Sequence, residues 1–281
     1  MIDEFHYVVG WRAASPHPGS HSSRLKGGIE EFAGHVPFMS TPHARHIDLK
    51  ASFTNPFETL LVRNFHQKSN IPVVVLADFS ASMGFNGQVD KRDLVARFII
   101  SAAWSAFRHG DRFGAFMGDD ALIEGLSMPI RHYKGGLPGD YERFLNAPRK
   151  GRSPRGLIEA AVRLGRQKSL VFLVSDFHLP EQQIEALLEP LVRHDVVPII
   201  VWDSAEYSHL PDYGLVLAED PETGATRRYF MRPALRDRIK ERFIERKKGL
   251  EHFFRTRGIS PFFMVDHFDP EALTRFFVGG R

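Results

Sequence analysis

The chain has 281 residues, with 37 Lys and Arg against 34 Asp and Glu, a formal charge of +3 at neutral pH. That length allows one large domain or two small ones and buries a sizeable core without disulfides. Cys is absent, which excludes disulfides, thiolate metal sites and Cys nucleophiles and fits a reducing compartment.

Residues 1–35 are rich in Ser, Gly, Pro and His and read as a loosely structured arm. Asp3 and Glu4 and the lack of a long apolar run argue against a secretory signal. No stretch of about 18 apolar residues occurs, so no helix is expected to span a membrane and the expected location is the cytoplasm. HIDLKASF (46–53) and ETLLVRNF (58–65) look like strands, and Asn55 and Pro56 at the break favour a turn between them, giving a β-hairpin. IPVVVLADF (71–79) is a continuous apolar run, the pattern of a strand buried on both faces. Residues 91–109 carry helical periodicity through Leu94, Phe98, Ala102 and Phe107, and Arg112–Met117 is a short strand.

A helix is predicted over 154–166, opened by Pro154 in a position that suits proline. SLVFLVSDF (169–177) is a second buried strand. A helix follows over 181–193 with Ile184, Leu187, Leu188 and Leu191 on one face, and VVPIIVWD (196–203) is a third buried strand. Residues 214–230 read as a hairpin whose turn is flanked by Pro221 and Gly224. A long helix (233–257), a strand (261–268) and a short helix (270–277) complete the chain. Strands alternating with helices predict an α/β fold, a mostly parallel sheet with helices on both faces. The expected division is an N-terminal arm and β-hairpin extension (1–65) and an α/β domain (66–281).

Two basic clusters stand out, Arg149–Arg155 and Arg236–Lys248. The second is interleaved with Asp237, Glu241 and Glu245 and reads as a solvated helix face laced with ion pairs. No basic motif with interleaved aromatics occurs, so nucleic-acid binding is not expected.

The chemistry gathers where the buried strands end. The first runs into Asp78-Phe79-Ser80-Ala81-Ser82 and the second into Ser175-Asp176. Ligands of an open parallel sheet collect outside the carboxyl ends of its strands, so Asp78, Ser80, Ser82 and Asp176 are expected to share one crevice. Carboxylates and hydroxyls are hard ligands that suit Mg²⁺ or Mn²⁺. Ser153, just before a helix, is either a helix cap or a further hydroxyl for the metal. His17 with His21 and His43 with His46 are weighed as ligand pairs, but lack carboxylates at suitable spacing and read as solvated loop histidines. Phe253-Phe254, Phe262-Phe263 and Phe276-Phe277 read as core. No GxSxG elbow, phosphate-binding loop or GxGxxG fingerprint occurs.

DFSASM resembles the metal-ion-dependent adhesion site (MIDAS) of von Willebrand factor A domains. Together with HIDLKAS, LLVRNF, VVVLADFSASMGF, HGDRFGAF, LVSDF, RHDVVPIIVWD, LPxxG and DPETG, it makes the chain resemble the bacterial family called domain of unknown function 58, from about residue 26 onward. The resemblance implies a von Willebrand factor A-like Rossmannoid fold. It implies a metal bound directly by two serines and a Thr, with two aspartates acting largely through water. It also implies a MoxR-type AAA+ ATPase as partner, the chain serving as its adaptor. Three departures stand out. Leu49 replaces a usual Trp, Thr41-Pro42-His43 replaces a PGD-like turn, and the direct Thr is missing, with Ser153 as its candidate substitute.

The function expected is a non-catalytic protein–protein interaction module whose metal accepts an acidic side chain from that ATPase or from a client. The alternative is an Mg²⁺-dependent phosphotransferase or phosphatase with Asp78 as nucleophile. That chemistry favours a second carboxylate two residues on, where Ser80 stands, and no Lys occupies an obvious place beside it.

Overall fold

A computed structural model describes residues 3–11, 18–40, 47–57, 59–133, 138–208, 210–219 and 226–280; of residues 18–33, 64–69, 138 and 218–219 only the backbone is described. It separates into two compact units, one of residues 1–8, 72–108 and 112–281, the other of residues 9–71 and 109–111.

The smaller unit is built on β1 (Pro18–Pro37), α1 (Leu49–Phe53) and β2 (Leu61–Ser69). β1 and β2 pair antiparallel through Val36 and Val62, with several register shifts along the ladder. Two expectations are corrected here. The stretch read as a loose arm contains a long strand. HIDLKASF, read as the first strand of a hairpin, keeps one antiparallel bridge to β2, Ile47 to Val62, but is helical over Leu49–Phe53, and β2 takes β1 as its main partner. Local hydrogen bonding explains the helix. Asp48 is its N-cap, accepting from the Ala51 N–H at 3.0 Å, and the Ser52 hydroxyl donates to the Asp48 carbonyl at 2.6 Å. The Ala51 N–H, then Arg63 and His35, hold the Asp48 carboxyl well below the usual carboxylate range. Leu49, at the usual Trp position, is exposed. Thr41-Pro42-His43, His17, His46 and the turn residues Pro221 and Gly224 lie outside the described residues, as does the side chain of His21.

The larger unit holds β3 (Pro72–Asp78), α2 (Lys91–His109), β4 (Arg112–Gly118), β5 (Met128–Arg131), α3 (Tyr141–Leu145), α4 (Arg155–Arg163), β6 (Leu170–Ser175), α5 (Glu181–Leu188) and β7 (Asp195–Trp202). The hairpin β8 (Gly214–Glu219) and β9 (Thr226–Met231) follows, then α6 (Pro233–Arg255), β10 (Phe262–Val265) and α7 (Pro270–Val278). Six strands form one sheet in the order β10-β7-β6-β3-β4-β5. All its pairings are parallel except β4–β5 at one edge. The fold class is therefore α/β and Rossmann-like, as expected. α4 begins one residue later than expected, with Pro154 as its N-cap rather than inside it.

Every residue of β3 and β6 is buried, as a sheet covered on both faces requires. Val74, Leu76, Val171 and Leu173 pack with Leu157 and Ala160 of α4, Ile184 and Leu187 of α5, and Leu250 and Phe254 of α6. On the other face Phe172 meets Phe98 of α2 at 5.3 Å and Phe277 of α7 at 6.1 Å between ring centroids. Phe5 joins that face, stacked on Phe98 at 6.0 Å and edge-on to Phe172 at 5.7 Å. The paired phenylalanines read as core are buried or half-buried. No helix among the described residues is long and apolar enough to cross a membrane.

Because Phe5 is fully buried, the segment before the smaller unit is part of the core. Phe5→Ala should cost about 3–5 kcal/mol in urea unfolding. A loss below about 1 kcal/mol would show that this segment is peripheral.

Candidate functional site

β3 is followed along the chain by β4 on one side, but its other neighbour is β6, reached only after the chain crosses back over it. This reversal makes the carboxyl ends of β3 and β6 the switch point of the sheet, the usual place for a ligand crevice. Asp78 is the last residue of β3, and Asp176 follows the last residue of β6. Ser80 and Ser82 lie on the tight turn between β3 and α2.

The structure brings these four residues together. Asp78, Ser80, Ser82 and Asp176 are 2, 4, 7 and 1 % exposed. Asp78 Oδ1 accepts from the Ser80 N–H at 2.8 Å, and Asp78 Oδ2 accepts from the Ser175 hydroxyl at 2.7 Å. The Ser80 and Ser82 hydroxyls are 3.2 Å apart. Asp176 Oδ1 accepts from the His178 N–H at 3.1 Å. Between them, Phe177 adopts a left-handed φ of 52°, an unusual conformation for a bulky residue. It is held by full burial and an edge contact with Phe254 at 5.3 Å.

Ser153 is placed differently. It lies beside Asp120, whose carboxylate accepts from the Arg152 N–H at 2.9 Å and is held below the ordinary range first by that bond and then by Ser153. It is not the cap of α4 either, since Pro154 holds that position. The loop around it does reach the turn, because the Gly151 carbonyl accepts from the Ala81 N–H at 2.8 Å. A Cβ at Gly151 would sit 2.2 Å from Asp119 Cβ, so this approach needs glycine.

Three residues of the site were not legible as such. Lys91, the first residue of α2, is 1 % exposed. Its ammonium lies 3.4 Å from Asp176 Oδ2 and forms an ion pair with Glu206 Oε1. The other Glu206 oxygen is 3.2 Å from His178 Nε2, and that imidazole stacks on Trp202 at 6.0 Å. One signal was available: a cation opening a helix opposes the helix dipole, so a Lys at that position implies an acidic partner elsewhere. The expectation that no Lys stands beside the site is therefore corrected.

Burial, and then the charge of Asp176, push the Asp78 carboxyl up to about 6, against the Ser175 and Ser80 hydrogen bonds. Burial presses the Asp176 carboxyl upward too, but the Lys91 ammonium and then His178 hold it below the ordinary range. Nearby, burial and then Arg92 lower the Arg149 guanidinium to about 10; it lies 3.3 Å from the Phe79 ring centroid. Among the described residues no three His, Asp or Glu side chains are placed as a metal cage. A metal here would depend on the hydroxyls of Ser80 and Ser82 together with Asp78 and Asp176. That hard-oxygen set fits Mg²⁺ or Mn²⁺ in kind, and a dication would offset the repulsion between two buried carboxylates.

Residues 41–249 match the family described as "Protein of unknown function DUF58". An uncharacterized protein of Mycobacterium tuberculosis is 28 % identical over 226 residues, covering 78 % of this chain and 69 % of the relative. An uncharacterized protein in the moxR 3' region of Paracoccus denitrificans is 32 % identical over 98 residues, covering 35 % of this chain and 93 % of the relative. Among solved structures, an aerotolerance-related membrane protein of Bacteroides fragilis aligns at 13 % identity and a TM-score of 0.42, over 75 % of this chain and 98 % of that one.

The two serines beside the site should respond differently to truncation. Ser175→Ala strips a buried carboxylate oxygen of its donor and should cost about 2–3 kcal/mol in denaturant unfolding. Ser153→Ala, which neither caps α4 nor bonds Asp78, should cost less than about 1 kcal/mol. The reverse ranking would mean that Ser153 supports the site and Ser175 does not.

Proposed function

The chain belongs to the DUF58 family, and from that premise we propose that it is a non-catalytic protein–protein interaction module with a von Willebrand factor A-like metal-ion-dependent adhesion site. The observation that carries this reading is the convergence of Asp78, Ser80, Ser82 and Asp176 at the switch point of the sheet. Ser80 and Ser82 would bind Mg²⁺ or Mn²⁺ directly, with Asp78 and Asp176 as the charged members of the shell. When bound, the cation supplies a Lewis-acidic position for an acidic side chain of a partner. The protein's part is to hold its oxygens in place. Ser175 and the Ser80 N–H fix the two oxygens of Asp78, and the His178 N–H fixes one of Asp176. Burial of these groups strengthens charge-assisted contacts made there.

The proposed partner is a MoxR-type AAA+ ATPase, or a client delivered to it. The Paracoccus denitrificans relative, named for its place in the moxR 3' region, supports that choice. Ser153, which lies beside Asp120, is the candidate for the third direct hydroxyl.

One observation favours a second reading, Mg²⁺-dependent phosphoryl transfer with Asp78 as nucleophile, because Lys91 supplies a cation beside the site. That ammonium is already held by Asp176 and Glu206, and both oxygens of Asp78 accept hydrogen bonds. These bonds weigh against it. Hydrolysis of a generic phosphomonoester that disappears in Asp78→Asn would establish the enzyme and displace the adhesion reading.

Calorimetry should show modest Mg²⁺ or Mn²⁺ binding to the wild type, and Asp78→Ala should weaken it at least about tenfold. Co-precipitation with a MoxR-type ATPase should be lost with EDTA and in Ser82→Ala, with thermal melts unchanged by more than a few degrees. Metal binding that is equal in the wild type and Asp78→Ala would remove the reading.

A further inference from the structure

Lys residues are almost never fully buried without a partner, and Lys91 has two carboxylates. They differ in depth: the Asp176 side chain is 2 % exposed and that of Glu206 is 13 % exposed. The ammonium also lies 5.6 Å from the centroid of the Phe85 ring. Glu206 is steadied from the other side by His178 Nε2 at 3.2 Å. The Lys91 ammonium thus sits between a deep carboxylate of the candidate metal set and a shallower one outside it.

Resting on the metal-site reading above, we propose that Lys91 is a built-in counter-cation that competes with the divalent metal for Asp176. Glu206 is the second berth, onto which the ammonium shifts when the metal arrives.

Asp78 and Asp176 are both buried, and their like charges repel. Without compensation an empty site of this kind is costly, because removing one partner of a buried ion pair leaves an uncompensated charge. The Lys91 ammonium provides the compensation, so the fold does not depend on metal. The same ammonium makes metal binding weaker. A dication bound to the Ser80 and Ser82 hydroxyls and to Asp176 would stand close to the ammonium, and two like charges among buried groups repel strongly. Movement of the ammonium toward Glu206 relieves that repulsion without leaving the lysine unpaired.

Mn²⁺ alone is the probe, added to the full-length wild type, Lys91→Gln, Glu206→Gln and Asp78→Ala, with affinity read by calorimetry and stability by thermal melts. Lys91→Gln should bind Mn²⁺ at least about tenfold more tightly than the wild type. Without metal it should melt below the wild type, and Mn²⁺ should restore it. Glu206→Gln removes the second berth and should bind Mn²⁺ more weakly than the wild type. If Lys91→Gln binds no more tightly than the wild type while Asp78→Ala still abolishes binding, the metal site stands and the role of Lys91 is overturned. If no variant binds Mn²⁺ in a manner that depends on Asp78, both readings fall. Should Lys91→Gln not fold even with Mn²⁺, Glu206→Gln decides, and an affinity equal to the wild type overturns the proposal.

Discussion

Two carboxylates, Asp78 and Asp176, lie buried at the ends of neighbouring parallel strands, and the surrounding structure is arranged around their repulsion. Ionised groups are costly to bury, and like charges add to that cost. Each carboxylate is therefore wrapped in donors. Asp78 has the Ser80 N–H and the Ser175 hydroxyl, while Asp176 has the His178 N–H and the Lys91 ammonium. The left-handed backbone at Phe177 lies between Asp176 and that His178 N–H, and is secured by packing against Phe254. Two cations lie near the pair, the Lys91 ammonium beside Asp176 and the Arg149 guanidinium within the field of Asp78.

The loops around the pair are held with similar care. Asp203, fully buried at the end of β7, accepts from the Gly87 and Val89 N–H groups at 3.1 and 3.2 Å and from the Ala205 N–H at 2.8 Å. It thereby ties the segment leading into Lys91 to the turn that carries Glu206. A Cβ at Gly87 would come within 2.7 Å of the Asp203 carboxylate, so that approach depends on glycine. On the other side, Gly118 and Gly156 let the end of β4 and the start of α4 meet, where a Cβ at Gly118 would lie 2.5 Å from the Gly156 carbonyl carbon. Both sides of the site thus contain a close approach that a Cβ would break.

Much of this architecture is legible in the sequence because a doubly covered parallel sheet writes its strands as unbroken apolar runs. β3, β6 and β7 follow from that alone, and α2 follows from its periodicity. Asp78, Ser80, Ser82 and Asp176 follow from where those runs end. HIDLKASF misleads because its apolar residues suggest a strand, whereas the decisive interaction is the Asp48 cap on Ala51. β5 and α3 are four and five residues long, too short to leave a pattern. Lys91 and Asp176 are 85 positions apart, and only the fold brings them together. Ser153 could be read either as a cap or as a ligand; Pro154 takes the cap position of α4, and Ser153 lies beside Asp120.

The most direct measurement is a crystal structure of the full chain soaked in Mn²⁺, with anomalous differences recorded at the manganese edge. The account predicts a single peak within bonding distance of the Ser80 and Ser82 hydroxyls, beside Asp78 and Asp176, with the Lys91 ammonium displaced toward Glu206. A pocket with no peak at saturating Mn²⁺, and with Lys91 still bridging Asp176 and Glu206, would contradict it.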